Sequence, residues 1–142
     1  MITICSPKTE KEFEAYFKLR WKILREPWDQ PPGSEKDDLE NGSNHFMAVK
    51  NDIIIAVSRL HLEGSTAVIR YMAVDKPYQR QGIGNFLLSH MEEVASQLNV
   101  LTIKLNAREK YIQFYLKNGY FDRGAAHTLY NTIKHRKMSK NL

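Results

Sequence analysis

In the stretch VDKPYQRQGIGNF, residues 74–86, two glycines stand one residue apart where a proline-bearing polar turn gives way to an apolar-periodic segment. Gly82 and Gly84 remove two Cβ atoms at the start of a helix, so unpaired backbone N–H groups of its first turn can approach a ligand closely. The helix dipole adds partial positive charge, and Lys76, Arg80 and the Gln81 amide supply donors around the same opening. Such a constellation is an anion site, suited to a diphosphate. A glycine-bearing helix start with no ligand is the alternative reading of so short a motif. Two other phosphate motifs fail on the residues themselves: no GxxxxGK followed by Ser or Thr occurs, and Leu87 stands where a dinucleotide fingerprint needs a third small residue.

Other chemistry-bearing residues are more scattered. The five histidines, at 45, 61, 90, 127 and 135, show no metal-ligand spacing, and a lone cysteine excludes both a cysteine-based zinc site and an internal disulfide, so no metal is expected. Cys5 lies in the apolar, strand-like ITIC segment and reads as a small edge or core side chain. Between residues 26 and 40, Glu26, Asp29, Glu35, Asp37, Asp38 and Glu40 face only Lys36 in a chain that is basic as a whole. A cationic ligand would be drawn to that surface, with Trp28 available for a cation–π contact; a solvated polar loop accounts for the same residues.

The elements that must position these residues follow from periodicity. Thr9 and Glu12 have capping-box spacing, and Phe13, Tyr16, Phe17 and Leu24 recur at helical intervals until Pro27, which predicts a helix over about residues 10–25. Residues 26–43 are too rich in Pro, Gly, Asp and Ser for a regular element, and loops of that length are usually functional or disordered. Three apolar runs, HFMAVK, IIIAVSRLHL and TAVIRYMAV, separated by turns at residues 50–52 and 63–65, predict an antiparallel meander. A helix from Ile83 to Leu98 follows, with Ile83, Phe86, Leu87, Met91, Val94, Ala95 and Leu98 on one face, and VLTIKL is the next strand, parallel to the one before the helix. A final helix over about residues 109–118 carries Ile112, Tyr115 and Leu116 inward and ends at Gly119; TLYNTIKH reads as a last strand, and Lys134, Arg136, Lys137 and Lys140 make the tail basic. The expected class is α/β (α+β), a mixed, mostly antiparallel sheet flanked by helices, in one domain over residues 1–142.

The net charge of +5 suits polyanionic ligands, either nucleic acid or a phosphate-rich cofactor. No basic-then-apolar leader and no apolar run of membrane-spanning length is found, so a soluble, cytoplasmic protein is expected.

The segment IRYMAVDKPYQRQGIGNFLLSHMEEVA resembles the acetyl-CoA signature of the GNAT acyltransferase superfamily, in which Gln or Arg is followed by two residues, Gly, one residue, and Gly or Ala; Gln79, Gly82 and Gly84 fill those places. LTIKLNAREKYIQFYLKNGYF is similar to the next block of that superfamily, a strand leading to a helix with a tyrosine shortly before a glycine-aromatic pair, here Tyr115, Gly119 and Tyr120. The two blocks and the element order extend the resemblance over nearly the whole chain. Two positions depart from it, since Arg108 and Tyr111 stand where many members carry Asn and Ala. LRWKILREPW and IKHRKM further resemble a bacterial subgroup near ElaA-type proteins.

The resemblance implies a GNAT-type fold that moves an acetyl group from acetyl-CoA to a primary amine by direct transfer. It implies that backbone groups of Met72 and Val74 hold the pantetheine arm and acyl carbonyl, that the backbone of Gln81, Gly82, Ile83, Gly84 and Asn85 seats the pyrophosphate, and that Ala73, Gln79, Arg80, Asn106 and Tyr115 complete the cofactor contacts. Tyr115 is the implied general acid, because a phenol of ordinary pKa about 10 can protonate a thiolate whose parent thiol lies near 8.5 once local contacts adjust both. A core tyrosine on the inward helix face is its alternative. For the general base, His61, Glu63 and Asp75 are candidates, each also readable as a solvated or turn residue. The expected partner is a small-molecule or peptide amine, with neither nucleic acid nor membrane, and a homodimer is left open. An acyl-CoA-binding regulator without turnover is the main alternative, and a basic nucleic-acid-binding module a more distant one.

Overall fold

A computed structural model describes residues 1–142. The elements run β1 (Ile2–Cys5), α1 (Glu10–Leu24), β2 (Asn44–Lys50), β3 (Ile53–Glu63), β4 (Thr66–Val74), α2 (Ile83–Gln97), β5 (Thr102–Arg108), α3 (Ile112–Lys117), β6 (Phe121–Leu129) and β7 (Ile133–Asn141), with short 3-10 turns at Glu26–Trp28, Lys76–Tyr78 and Glu109–Tyr111. The seven strands follow the order β1-β2-β3-β4-β5-β7-β6. The pairs β1–β2, β2–β3, β5–β7 and β6–β7 are antiparallel and β4–β5 is parallel, which gives the mixed, mostly antiparallel sheet expected. No helix is long and apolar enough to cross a membrane.

The chain forms two compact units. The first comprises Met1–His61 and Tyr71–Met91. Its α1 begins with the predicted capping box, in which the Glu12 amide donates to Thr9 Oγ1 at 3.1 Å and the Thr9 amide to Glu12 Oε1 at 3.0 Å. Pro27 then stops the helix as expected. Tyr16, Leu19 and Leu24 of α1 pack with Met47, Val57 and Ala73 into a core that Phe13, Phe17, Ile23 and Tyr71 extend. Ile55 to Val57 of β3 are fully buried, consistent with a continuous apolar run covered on both faces. The β2–β3 hairpin turns on Asn51 and Asp52, both in the left-handed region, as a two-residue hairpin loop requires.

The second unit comprises Leu62–Arg70 and Glu92–Leu142. Thr66 to Ile69 of β4 lie in parallel register with Thr102 to Leu105 of β5, and β5 pairs along its whole length with β7, from Thr102↔Asn141 to Arg108↔His135. Two expectations fail here. The final helix is shorter, since Glu109–Tyr111 is a 3-10 turn and only Ile112–Lys117 is α-helical. TLYNTIKH is not one strand but the tip of the β6–β7 hairpin, because Tyr130 and Asn131 both take positive φ and reverse the chain between Leu129 and Ile133. Lys134, Arg136, Lys137 and Lys140 of the basic tail therefore lie in strand β7. Gly119 ends α3 as predicted: at φ +88° it lets its amide reach Leu116 O and the Tyr120 amide reach Tyr115 O, both at 3.1 Å, a Schellman motif.

Candidate active site

In the first unit the segment from Val74 to Asn85 is held by a backbone bond to β3 and by its own side chains. The Asp75 amide donates to Ile55 O at 2.8 Å, and Asp75 Oδ1 accepts the Lys76 amide at 3.0 Å, capping the Lys76–Tyr78 turn. Gln79, the first residue of the glycine motif, donates from Nε2 back to Val74 O at 3.0 Å and so closes the turn on itself. Gln81 does the same to Pro77 O at 3.2 Å. Two left-handed residues follow, Arg80 at φ +63° and Gly82 at φ +80°. The Phe86 amide makes the first bond of α2, to Gly82 O at 3.1 Å, which leaves the amides of Ile83, Gly84 and Asn85 ahead of the helical ladder. A Cβ on Gly82 would meet no atom within 4 Å, so glycine is required for its backbone angle, and the space beside it is open. Arg80, Gln81 and Asn85 are exposed around this opening while Ile83 is buried beneath it. The arrangement can hold an anion on backbone N–H groups at a helix start.

Just before this turn, Met72, Ala73 and Val74 end β4. The residue preceding them, Tyr71, has φ +58° inside the strand. Its ring packs against three guanidinium groups, Arg20 Cζ at 4.2 Å, Arg59 Cζ at 4.9 Å and Arg25 Cζ at 5.7 Å from the centroid. Arg20 and Arg59 are fully buried, and the loop over residues 26–43 supplies their counter-charges. Arg59 grips Asp37 with two bonds of 2.6 and 3.0 Å and Glu40 with one of 2.9 Å; Arg20 donates to the same Glu40 oxygen at 2.9 Å and to Glu35 O at 3.1 Å. His45 and Tyr16 complete the group. The Tyr16 hydroxyl accepts from Arg20 Nη2 and lies 2.9 Å from both Ser58 O and His45 Nδ1, and His45 Nε2 lies 2.8 Å from Glu40 O. Burial raises the Tyr16 pKa to about 12 and lowers that of His45, so both are neutral at pH 7.

This network changes the reading of the acidic loop. Asp37 and Glu40 are spent on buried arginines, and Glu35, itself buried, accepts the Gly33 amide at 2.7 Å. Only Glu26, Asp29 and Asp38 of the six remain exposed. The loop is tied down by charge pairing, and half of its apparent negative surface is internal.

In the second unit Tyr115 is almost fully buried, edge-on to Phe114 and Tyr120 at centroid distances of 5.0 and 5.6 Å. Burial pushes its pKa well above the ordinary phenol value. Tyr120 is held by its hydroxyl bond to Glu92 at 2.8 Å, and Glu92 in turn pairs with Lys140 at 3.1 Å. Asn106 sits on the exposed face of β5, opposite Lys137. His127 and His135 stack 4.2 Å apart on β6 and β7.

The model of the Acetyltransferase (GNAT) family matches residues 13–120. The chain belongs to the GNAT acetyltransferase family. Among curated proteins it is 24% identical over 134 residues to the uncharacterized N-acetyltransferase YjcF of Bacillus subtilis (strain 168), covering 94% of this chain and 96% of the relative. Its fold matches that of Escherichia coli ElaA with a TM-score of 0.82 at 18% identity, over 99% of both chains. It also matches a GNAT family acetyltransferase from Elizabethkingia anophelis with acetyl-CoA bound, with a TM-score of 0.77 at 17% identity, over 99% of this chain and 98% of the other.

The GNAT match covers both motif blocks. Met72 to Val74 and Gln79 to Asn85 lie together in the first unit, whereas Asn106 and Tyr115 belong to the second. None of the three candidate bases stands out: Asp75 caps the turn and lies 3.7 Å from Lys22, Glu63 pairs with Lys104 at 3.1 Å on the surface, and His61 is half-buried near the end of β3. A cavity of about 690 Å³ in the first unit, floored by Cys5, Leu19, Met47 and Val49, touches Asp75 but no residue of the expected cofactor set. The case for an anion site at this turn thus rests on backbone geometry. Arg20 and Arg59 were not singled out by sequence; a lone arginine at a helical or strand position carries no signal of burial until its partner is known.

Proposed function

We propose that this protein moves an acetyl group from acetyl-CoA to the nitrogen of a primary amine. The observation that carries the reading is the turn from Arg80 to Asn85, where two left-handed residues lead into the first turn of a 15-residue helix and the space beside Gly82 is open. There the diphosphate of the coenzyme rests on the amides of Ile83 to Asn85, with Arg80 and Lys76 as flanking cations. The pantetheine arm lies back along Met72 to Val74, whose backbone groups receive its amides and the acyl carbonyl.

The amine nitrogen must be neutral to attack the carbonyl carbon. A new C–N bond forms, the C–S bond breaks, the nitrogen gives up a proton to solvent or a base, and the departing thiolate takes one up. Tyr115 is assigned as donor of that last proton. Its raised pKa means that it holds its proton throughout the neutral range. It gives the proton up only to a thiolate made more basic by the same exclusion of water. The exposed acids Glu26, Asp29 and Asp38 remain available to attract a cationic acceptor.

The test is a thiol-release screen with acetyl-CoA against small amines, polyamines, aminoglycosides, peptide N-termini and lysine peptides. Amine-dependent release with acetylated product supports the reading. Tight acetyl-CoA binding without turnover on any class would favour a regulatory acyl-CoA-binding protein instead.

A further inference from the structure

Tyr71 is the one non-glycine residue inside a strand that takes a left-handed backbone; the others with positive φ stand at turns, loops and helix ends. A bulky aromatic residue does not hold φ +58° by preference, so its surroundings must hold it there. The forces that do so come from three separate elements. Arg20 of α1 and Arg59 of β3 press their guanidinium groups on the Tyr71 ring at 4.2 and 4.9 Å. Asp37 of the long loop accepts the Tyr71 hydroxyl at 3.4 Å, and Asp37 and Glu40 fix both arginines. The guanidinium groups that pack on the ring are thus the ones the loop carboxylates hold.

We propose that the loop over residues 26–43 acts through Arg20, Arg59 and Tyr71 to aim the backbone of Met72 to Val74, which makes Tyr71 a positioning residue for acyl transfer. A left-handed residue turns the peptide planes on either side of it, so the N–H and C=O directions of the next residues depend on its φ. On the function proposed above, those are the groups that receive the thioester arm, while the diphosphate seat at Ile83 to Asn85 is built by other contacts. The clamp therefore affects the acyl end of the coenzyme and leaves its nucleotide end alone. It also gives the acidic loop a role as counter-charge to the clamp.

Two experiments test this. In kinetics, Tyr71→Gly keeps access to the left-handed backbone but loses the clamp, and kcat with acetyl-CoA is expected to fall by about tenfold or more. Tyr71→Phe, which keeps the ring between the guanidinium groups and gives up the 3.4 Å hydroxyl bond to Asp37, stays within about threefold of the parent. ADP, which reaches only the diphosphate seat, binds both variants as it binds the parent. Parent-like kcat in Tyr71→Gly, or equal losses of ADP and acetyl-CoA affinity, overturns the proposal. The second experiment needs no activity: in Asp37→Asn, amide hydrogen exchange at Met72 to Val74 is expected to quicken while that of the β1–β2 pair is unchanged. Unchanged exchange at Met72 to Val74 refutes the clamp even if the protein is an active acetyltransferase. Quickened exchange in a protein that binds no acetyl-CoA leaves the clamp standing and removes the function it was assigned to serve.

Discussion

Alanine at Gly82 should weaken acetyl-CoA binding far more than it weakens the fold. Gly82 sits at φ +80°, where an L side chain costs about 1–2 kcal/mol, and its Cβ would meet no protein atom within 4 Å. Strain is therefore the whole expected cost to stability. If the proposed diphosphate seat lies at this helix start, the new methyl group intrudes on the open space beside Gly82 and must either displace the anion or tilt it off the first-turn amides. Loss of one or two charge-assisted hydrogen bonds of about 1.5–3 kcal/mol each corresponds to a fall in affinity of at least tenfold. Gly64 provides the control, since it also has positive φ, at +64°, and open space around its Cβ, but lies in the β3–β4 turn. Gly82→Ala and Gly64→Ala are expected to lose similar stability in thermal unfolding, and only Gly82→Ala to lose affinity in calorimetric titration. Equal acetyl-CoA affinity in the two variants would refute the assignment of this turn as the diphosphate seat.

Replacing Tyr115 with Phe is expected to lower kcat with little change in the KM for acetyl-CoA; unchanged kcat would return Tyr115 to the role of a core residue packed on Phe114 and Tyr120. Arg59→Met removes a buried guanidinium, taking two charge-assisted bonds from Asp37 and one from Glu40, which keeps Arg20, at a cost of about 3 kcal/mol read from the urea midpoint, whereas a shift of a few tenths would show the network to be energetically idle. Burial holds the pKa values of His45 and His135 below the ordinary 6.5, so below that pH the unfolded chain binds protons that the folded chain does not. Stability should then be level above about pH 6.5 and fall as pH drops below it, with His45→Gln flattening part of the slope in urea denaturation followed from pH 7.5 to 5.

Local signals in the chain foretold a good deal of this architecture. The Thr9–Glu12 capping box, the Asn51–Asp52 turn, the three apolar runs that became β2 to β4, and the Gly119 helix stop each carry a short-range physical cause, and each is found where expected. What failed was not short-range. The residues of β6, FDRGAAHTL, are mostly exposed and carry no apolar alternation, so only pairing with β7 makes them a strand. Tyr130 is an unusual residue for a left-handed turn, which hid the hairpin tip inside an apparent strand. The candidate site divides in the same way. Backbone features such as the glycine turn were legible because glycine announces its angle, but the acids of residues 35–40 read equally as a ligand-attracting surface or a solvated loop until Arg20 and Arg59, 15 or more positions away in the chain, were seen to hold them.

The most direct measurement is a calorimetric titration of acetyl-CoA into the unmodified protein at low salt. Saturable binding near one equivalent, displaced by free coenzyme A and weakened in Gly82→Ala, is the result expected of a GNAT acetyltransferase that uses the Arg80–Asn85 turn. Absence of any binding heat, confirmed at a second temperature, would contradict the central claim.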